Sequence, residues 1–340
     1  MAEGSRYREV GASRRRILLL KEALRRGLDW KFWIYRLKFR YAPRYDVITR
    51  FPTHLDIETT DACNLKCIMC VHGTTGVPDT GYIDMGFAKR LIDEGAAHGL
   101  YSIKFNWRGE PLLHPGLAEL VAYAKKKKIL EVQFNTNGIP LTERRVRELI
   151  EAGLDRIIFS MDGASKETYE RIRVGAKFET LVRNVRRFYE IREEMGRKKP
   201  FIRVQMVRTK DNKDETDALF DMWEPFVDDI RVNDVSDRGQ GDHLAVGDQV
   251  AVGRARCPQP WQRMVVSRDG KVLPCCSDWY REYIIGDATK QSLTQIWRGG
   301  KMEDLRQVQR ELKLDEITPC NHCFVKESYT WQRAPKGTAT

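Results

Sequence analysis

The 340-residue chain has no apolar run of 18 or more residues, so no segment is expected to cross a membrane as a helix. A secretory signal is not expected either: RRRILLL near the N-terminus offers only four apolar residues, and no small-residue cleavage site follows it. There is no internal repeat and no long low-complexity segment. Cysteine is scarce, eight residues in all. With no signal, a cytoplasmic, reducing location is expected, where clustered cysteines serve metal or redox chemistry more often than disulfides.

What is present is an ordinary globular composition, 41% apolar and 31% charged. At roughly 150 residues per domain the length allows one large domain or two. The net charge of +11 is unevenly placed: residues 1–50 hold fourteen Lys/Arg against five Asp/Glu, a surplus of nine, which leaves two for the rest. This basic extension reads as one or two helices carrying Trp30, Phe32, Trp33, Ile34, Leu37 and Phe39. Such a helix can dock on its own fold, lie on an anionic membrane surface, or bind an acidic partner or nucleic acid.

From residue 53, β-type runs alternate with amphipathic helical ones. Strands are predicted over 54–58, 101–105, 129–135, 155–161, 201–207 and 229–233, with helical stretches between them such as MGFAKRLIDEGAAHG, LAELVAYAKKKK, ERRVRELIEAG and FETLVRNVRRFYEIREEM. The alternation predicts parallel βα units, enough to close most of a barrel but not an eightfold one. After about residue 235 a Gly- and Asp-rich stretch reads as a linker to a small cysteine-rich domain. That domain holds a hairpin, MVVSRDGKVLPCC, with Asp-Gly at its turn, then a helical stretch, SLTQIWRGGKMEDLRQVQREL, and a final CNHC. The expected division is 1–50 extension, 51–240 partial barrel, 241–330 cysteine-rich domain and 331–340 tail.

Residues 61–70 read DACNLKCIMC, placing Cys63, Cys67 and Cys70 in the loop after the first strand, where catalytic loops of such folds collect. A closed structural zinc site brings four ligands as separated pairs; three thiolates on one loop suit a cubane iron–sulfur cluster with one iron left open. The other five are Cys257, Cys275, Cys276, Cys320 and Cys323. Successive residues of a strand face opposite sides, so only one of Cys275 and Cys276 can readily serve the same site.

The spacing of CNLKCIMC resembles the C-x3-C-x2-C signature of the radical S-adenosylmethionine (radical SAM) superfamily, and the resemblance covers roughly residues 53–325. It implies a partial (β/α)6 barrel of TIM type and a [4Fe-4S] cluster on Cys63, Cys67 and Cys70 whose open iron chelates S-adenosylmethionine. Reductive cleavage would then yield a 5′-deoxyadenosyl radical that abstracts hydrogen from substrate. Further motifs carry the likeness. Arg108-Gly109-Glu110-Pro111 resembles the family's Gly-Gly-Glu-Pro, with Arg108 in place of the first glycine, and implies that Gly109 and Glu110 hold the methionine amino group. NTNG at 135–138, containing Asn137, ends the third strand as the family's does. FSMDG at 159–163 implies a ribose contact for Ser160, and YERIRVGAKFE implies that Arg173 pairs with the methionine carboxylate. Met69 stands where the family usually has an aromatic residue near adenine.

C-x12-G-x4-C from Cys257 to Cys275, closed by Cys320-x2-Cys323, resembles the SPASM/twitch domain of these enzymes. The count permits one auxiliary [4Fe-4S] cluster on Cys257, Cys275, Cys320 and Cys323, with Cys276 the alternative to Cys275; a four-cysteine zinc ribbon is the competing reading. A fully ligated cluster implies an electron acceptor. The expected reaction is therefore dehydrogenation of a sugar-like or polyol molecule, as in 2-deoxy-scyllo-inosamine dehydrogenase-like twitch enzymes. A flavodoxin- or ferredoxin-type protein would be the electron donor. The alternatives are maturation of a ribosomal peptide, by crosslinking or epimerisation, and modification of a membrane- or carrier-linked substrate reached through residues 1–50. No catalytic base is legible; His72, Asn106, Gln205, Arg208, Asp234, Asp237 and Arg238 are polar groups expected near the barrel mouth.

Overall fold

The computed structural model describes residues 29–234 and 256–323. Six parallel strands follow in order: β1 (His54–Ile57), β2 (Ser102–Lys104), β3 (Glu131–Thr136), β4 (Arg156–Ser160), β5 (Phe201–Arg208) and β6 (Asp229–Asp234). Each predicted strand is present within about two residues. The helices that cover them are α2 (Met85–Ala97), α3 (Leu117–Lys126), α4 (Glu143–Glu151), α5 (Lys166–Ile172), α6 (Phe178–Glu194) and α7 (Thr216–Trp223), and α1 (Trp30–Tyr41) precedes the first strand.

Local chemistry sets these elements. The Asp84 carboxylate accepts from the Phe87 N–H at 2.8 Å and starts α2, whose Ala88, Leu91, Ile92 and Gly95 recur at helical spacing and are buried. Truncating such a core side chain, Leu91→Ala for example, costs ~2–5 kcal/mol. Thr142 and Ser165 cap α4 and α5 in the same way.

The C-terminal cysteine-rich segment continues the same sheet. Strand β7 (Arg263–Val266) runs parallel to β1 on the side opposite β2, and β8 (Lys271–Leu273) and β9 (Gly286–Asp287) extend the sheet antiparallel. The strand order is β6-β5-β4-β3-β2-β1-β7-β8-β9. The predicted hairpin is thus β7–β8, turning at Gly270, whose φ of +85° suits glycine. The single helical stretch expected after it is two helices, α8 (Leu293–Trp297) and α9 (Gly300–Glu311). Their break falls at Arg298-Gly299, where Gly299 has an extended backbone (ψ 160°) and forms the N-cap of α9.

Core positions alternate along the strands with lumen-facing ones, which are polar apart from Ile158, Phe201 and Val207. Leu55, Ile57, Ile103, Val132, Phe134, Ile157, Phe159, Ile202 and Val204 join the apolar core under the helices. Their neighbours His54, Lys104, Glu131, Gln133, Arg156, Arg203 and Gln205 line cavities on the other face. Parallel strands covered on both faces would read as near-continuous apolar runs; this alternation instead marks a polar lumen, unlike the packed interior of a closed eightfold barrel. Helix α1 packs on the fold through buried Phe32 and Tyr35, the latter stacked on Tyr101 at 5.4 Å, while Trp30 and Leu37 stay exposed. The preceding part of the basic extension, the linker at 235–255 and the tail after 323 lie outside the described residues. Among the described residues no helix is long and apolar enough to cross a membrane.

Candidate functional site

The loop of Cys63, Cys67 and Cys70 follows β1 and has little regular structure, yet it is held from three sides. The Lys66 and Ile68 N–H groups donate to the carbonyls of Val174 and Ile172 at 2.9 and 3.0 Å. The Glu110 N–H donates to the Ala62 carbonyl at 2.8 Å, and the Asn137 side-chain amide donates to Asn64 Oδ1 at 2.9 Å. A side chain at Gly109 would collide with the Thr60 carbonyl, and one at Gly73 with the Cys67 carbonyl. Both glycines are required by close backbone approach.

All three thiols line a cavity of about 330 Å³ at the C-terminal ends of the strands. Met69, Gly109, Glu110, Asn137, Ser160 and Arg173 line it too, so every residue that the sequence nominated around the cofactor is brought to one place. Of the polar candidates, Asn106 and Gln205 line it, whereas His72 and Arg208 do not. Asp234 ends β6, and Asp237 and Arg238 lie outside the described residues.

Several of these side chains already have partners within the chain. Glu110 is buried and its carboxylate accepts from Thr136 Oγ1 at 2.6 Å, from the Asn137 N–H at 2.7 Å and from the Leu112 N–H at 3.0 Å. Burial pushes its pKa up to about 7 against those three donors. A carboxylate has about four lone-pair sites, so one remains for a further donor. Arg173 donates to Asp162 Oδ2 at 2.7 Å through Nε and lies 2.6 Å from it through Nη2; its Nη1 is 3.9 Å from Cys67 Sγ. Burial alone would lower the Arg173 pKa, but Asp162 and Cys67 carry it well up, so the guanidinium is charged.

Asp162 was not singled out from sequence. Its other oxygen accepts from the Val207 N–H at 2.7 Å, so it ties β4 to β5 and aims the arginine; the Asp-Gly of FSMDG was the available signal. Arg108, which stands in place of the family's first glycine, lines the edge of this cavity. It is half-buried, paired with Glu58 at 2.9 Å, 3.7 Å from Asp61, and stacked over Trp107 at 4.4 Å.

The second cysteine group assembles from three segments. The Cys257 N–H donates to Gln309 Oε1 at 2.9 Å, and Gln309 Nε2 lies 3.6 Å from Cys320 Sγ, so α9 bridges the first and last segments. Burial raises the Cys275 thiol well above its ordinary value, reinforced by Cys276, Cys323, Cys320 and Cys257. Cys276 instead contributes to the lining of the main cavity, with its carbonyl accepting from Trp107 Nε1 at 3.1 Å and its sulfur 3.9 Å from Arg263. Cys276 thus lines the cavity while its charge still bears on Cys275 and Cys257.

The donor sets fit iron–sulfur clusters. Burial pushes Cys63 up to about 12, with Glu110, Cys67 and Cys70 adding to it, and Cys67 up to about 11 against the opposing charge of Arg173. Thiols that raise one another's pKa lie close together, yet among the described residues no three metal-binding side chains converge on one ion. A cubane tolerates that wider spacing because its ligands sit on different irons. Loading must displace the thiol protons.

The profile of the radical SAM superfamily matches residues 57–196, and that of an iron–sulfur cluster-binding domain, SPASM, matches residues 257–324. The chain belongs to the radical SAM superfamily. Its C-terminal part is a SPASM/twitch-type domain, and the two matches imply two [4Fe-4S] clusters together with S-adenosylmethionine. The zinc-ribbon reading of the C-terminal cysteines gives way to the iron–sulfur one.

Relatives of this radical SAM protein are diverse. A tungsten-containing aldehyde ferredoxin oxidoreductase cofactor-modifying protein of Pyrococcus furiosus is 28% identical over 316 residues, 79% of this chain and 87% of that one. A GTP 3′,8-cyclase of Chlorobaculum tepidum is 35% identical, but only over 40% of this chain and 41% of its own. Among solved structures, BtrN in complex with AdoMet and 2-DOIA superposes with a TM-score of 0.57 at 21% identity, covering 82% of this chain and 94% of that one. Streptococcus suis SuiB bound to its precursor peptide SuiA gives 0.65 at 15% identity, covering 85% and 73%. At these identities the structures establish the shared fold alone.

Proposed function

We propose that this radical SAM protein dehydrogenates a sugar-like or polyol small molecule. One observation carries the reading: the cavity beside Cys63, Cys67 and Cys70 is also lined by Cys276 and Trp279 of the SPASM-type domain, so a substrate there lies between the two cysteine groups. The name of the Pyrococcus relative, a cofactor-modifying protein matched over most of its length, also favours a small molecule over a peptide.

In this reading Cys63, Cys67 and Cys70 ligate the open cluster, and Cys257, Cys275, Cys320 and Cys323 the auxiliary one. When bound, these clusters and S-adenosylmethionine would supply a radical that removes hydrogen from a hydroxyl-bearing carbon and an acceptor for the one electron released as the carbonyl forms and the hydroxyl proton passes to solvent. The chain's own residues position the parts. Asp162 holds Arg173 charged for the methionine carboxylate, and Glu110 keeps an acceptor site for the amino group. Gly109 keeps the backbone clear, Ser160 and Asn137 line the ribose side, and Met69 fills space beside adenine with a polarizable thioether. Asn106 and Gln205 offer neutral polar contacts to substrate hydroxyls.

Anaerobically reconstituted protein is expected to hold about eight irons. With a flavodoxin- or ferredoxin-type donor it should release one 5′-deoxyadenosine for each carbonyl formed from a panel of polyols and aminocyclitols. Abundant 5′-deoxyadenosine with no carbonyl from any polyol, alongside modification of a peptide, overturns the proposal.

A further inference from the structure

Arg108 stands where the family has glycine, and its guanidinium is held on two sides in the cavity wall. Nε and Nη2 donate to the two oxygens of Glu58 at 2.9 and 3.3 Å, and Nη2 lies 3.7 Å from Asp61. The guanidinium lies over the Trp107 ring at 4.4 Å. Both partners are themselves fixed. Glu58 is fully buried and also accepts from the Arg268 N–H at 3.2 Å, and Trp107 Nε1 donates to the Cys276 carbonyl at 3.1 Å.

That leaves the third nitrogen. Among the described residues Nη1 makes no hydrogen bond, although the side chain is only 8% exposed and lines the cavity. A guanidinium keeps its proton and carries five N–H donors, so one in a cavity wall with a nitrogen to spare calls for an acceptor on whatever fills the space. Arg108 stands between Trp107, bonded to Cys276, and Gly109-Glu110, which line the cavity with Cys63, Cys67 and Cys70. The acceptor therefore belongs to the part of the substrate that lies between the two cysteine groups.

We propose that Arg108 is a catalytic residue whose Nη1 donates to the oxygen on the carbon that is oxidised. The inference deepens the dehydrogenase reading and rests on it. Loss of a hydrogen atom from that carbon leaves a carbon radical bearing the hydroxyl. The hydroxyl proton then passes to solvent, one electron passes to the oxidised auxiliary cluster, and the C–O bond becomes the carbonyl. With the proton gone first, the oxygen carries negative charge until the electron leaves. A fixed guanidinium aimed at that oxygen lowers the cost of shedding the proton, as preorganised donors do for other oxyanions, without itself accepting one. Glu58 and Trp107 do the fixing; a glycine at 108 would bring neither charge nor donor.

The test compares the anaerobically reconstituted full-length wild type with Arg108→Gln/Glu58→Gln, which leaves no carboxylate buried without its cation, on the panel of polyols and aminocyclitols. S-Adenosylmethionine affinity, read by calorimetry, should be the same in both. Carbonyl formation should fall by about 100-fold or more, with kcat and kcat/KM falling together, because the contact strengthens only as charge develops. Its pH profile should move to higher pH, where the hydroxyl proton leaves unaided. A merely structural role would move stability and S-adenosylmethionine binding but not that profile. If the double variant fails to fold, Arg108→Lys decides: it keeps a cation against Glu58 but has a single nitrogen, and it should lose about tenfold or more. A carbonyl rate unchanged in the variant, a loss matched by an equal loss of S-adenosylmethionine affinity, or a loss with an unmoved pH profile overturns the inference alone. Wild type that forms no carbonyl from any polyol overturns the dehydrogenase reading, and the role of Arg108 with it.

Discussion

Cys63, Cys67 and Cys70 come from eight consecutive residues, whereas Cys257, Cys275, Cys320 and Cys323 are gathered from three segments across the C-terminal domain. The first set sits on an irregular loop clamped by the backbone of 172–174, by Glu110 and by Asn137, and it opens to the cavity. The second is drawn together by the β7–β8 hairpin and by Gln309 of α9, and only its neighbour Cys276 reaches that cavity. A compact motif with a missing fourth thiol leaves room for a small molecule; a dispersed set with four closes on itself. In the proposed reading the two regions take different tasks, radical generation and electron acceptance.

The most severe way to break that contrast is to replace Cys63, Cys67 and Cys70 with alanine. Iron should fall from about eight to about four per chain, and 5′-deoxyadenosine release should stop. The Cys320→Ala/Cys323→Ala pair should lose a similar amount of iron yet keep some 5′-deoxyadenosine release while carbonyl product disappears; normal product would end the electron-acceptor role. The contrast sharpens at two adjacent residues. Cys275→Ser should lose the auxiliary cluster's share of iron, and Cys276→Ser should retain it, as read by iron analysis and visible absorbance. The reverse pattern would exchange their roles.

Smaller effects test the supports of the first region. Asp162→Ala leaves the Arg173 charge buried without its partner and should cost ~3–5 kcal/mol in denaturant unfolding, with weaker S-adenosylmethionine binding. Glu110 has its folded pKa raised from 4.5 to about 7, so the folded state holds a proton that the unfolded state has released. That contribution is complete below about pH 4.5 and is lost as pH rises through 7, up to ~3 kcal/mol for this group. Cluster-free wild-type protein should therefore show a falling stability component across that window that Glu110→Gln lacks. Equal slopes in the two proteins would contradict the raised pKa.

Much of this was legible in the sequence because the signals are local. Strand positions followed from short β-type runs between amphipathic stretches, and the loop cysteines from their spacing. The Asp-Gly turn predicted the hairpin. Other features depend on partners far apart in the chain. Asp162 aims an arginine 11 residues on while bonding the backbone of another strand, and Gln309 joins Cys257 to Cys320 from a helix that the sequence presents as part of one longer stretch. The polar lumen was written in the alternation of EVQFNT and FIRVQMVR, but alternation alone does not say whether the polar face meets solvent or encloses a chamber.

The sequence by itself determined the chemistry: three thiols at a fixed local spacing with no fourth beside them, followed by a second cysteine set in a hairpin domain. Ligand type and spacing are covalent properties of the chain. Only the tertiary structure decided what those groups face, because that depends on strand register. Parallel pairing of β7 with β1 carries the C-terminal domain onto the barrel and brings Cys276 to the cavity of Cys63. The in-register strands turn Lys104, Arg156, Arg203, Arg231 and Arg263, each from a different strand, into one chamber with Arg36 of α1.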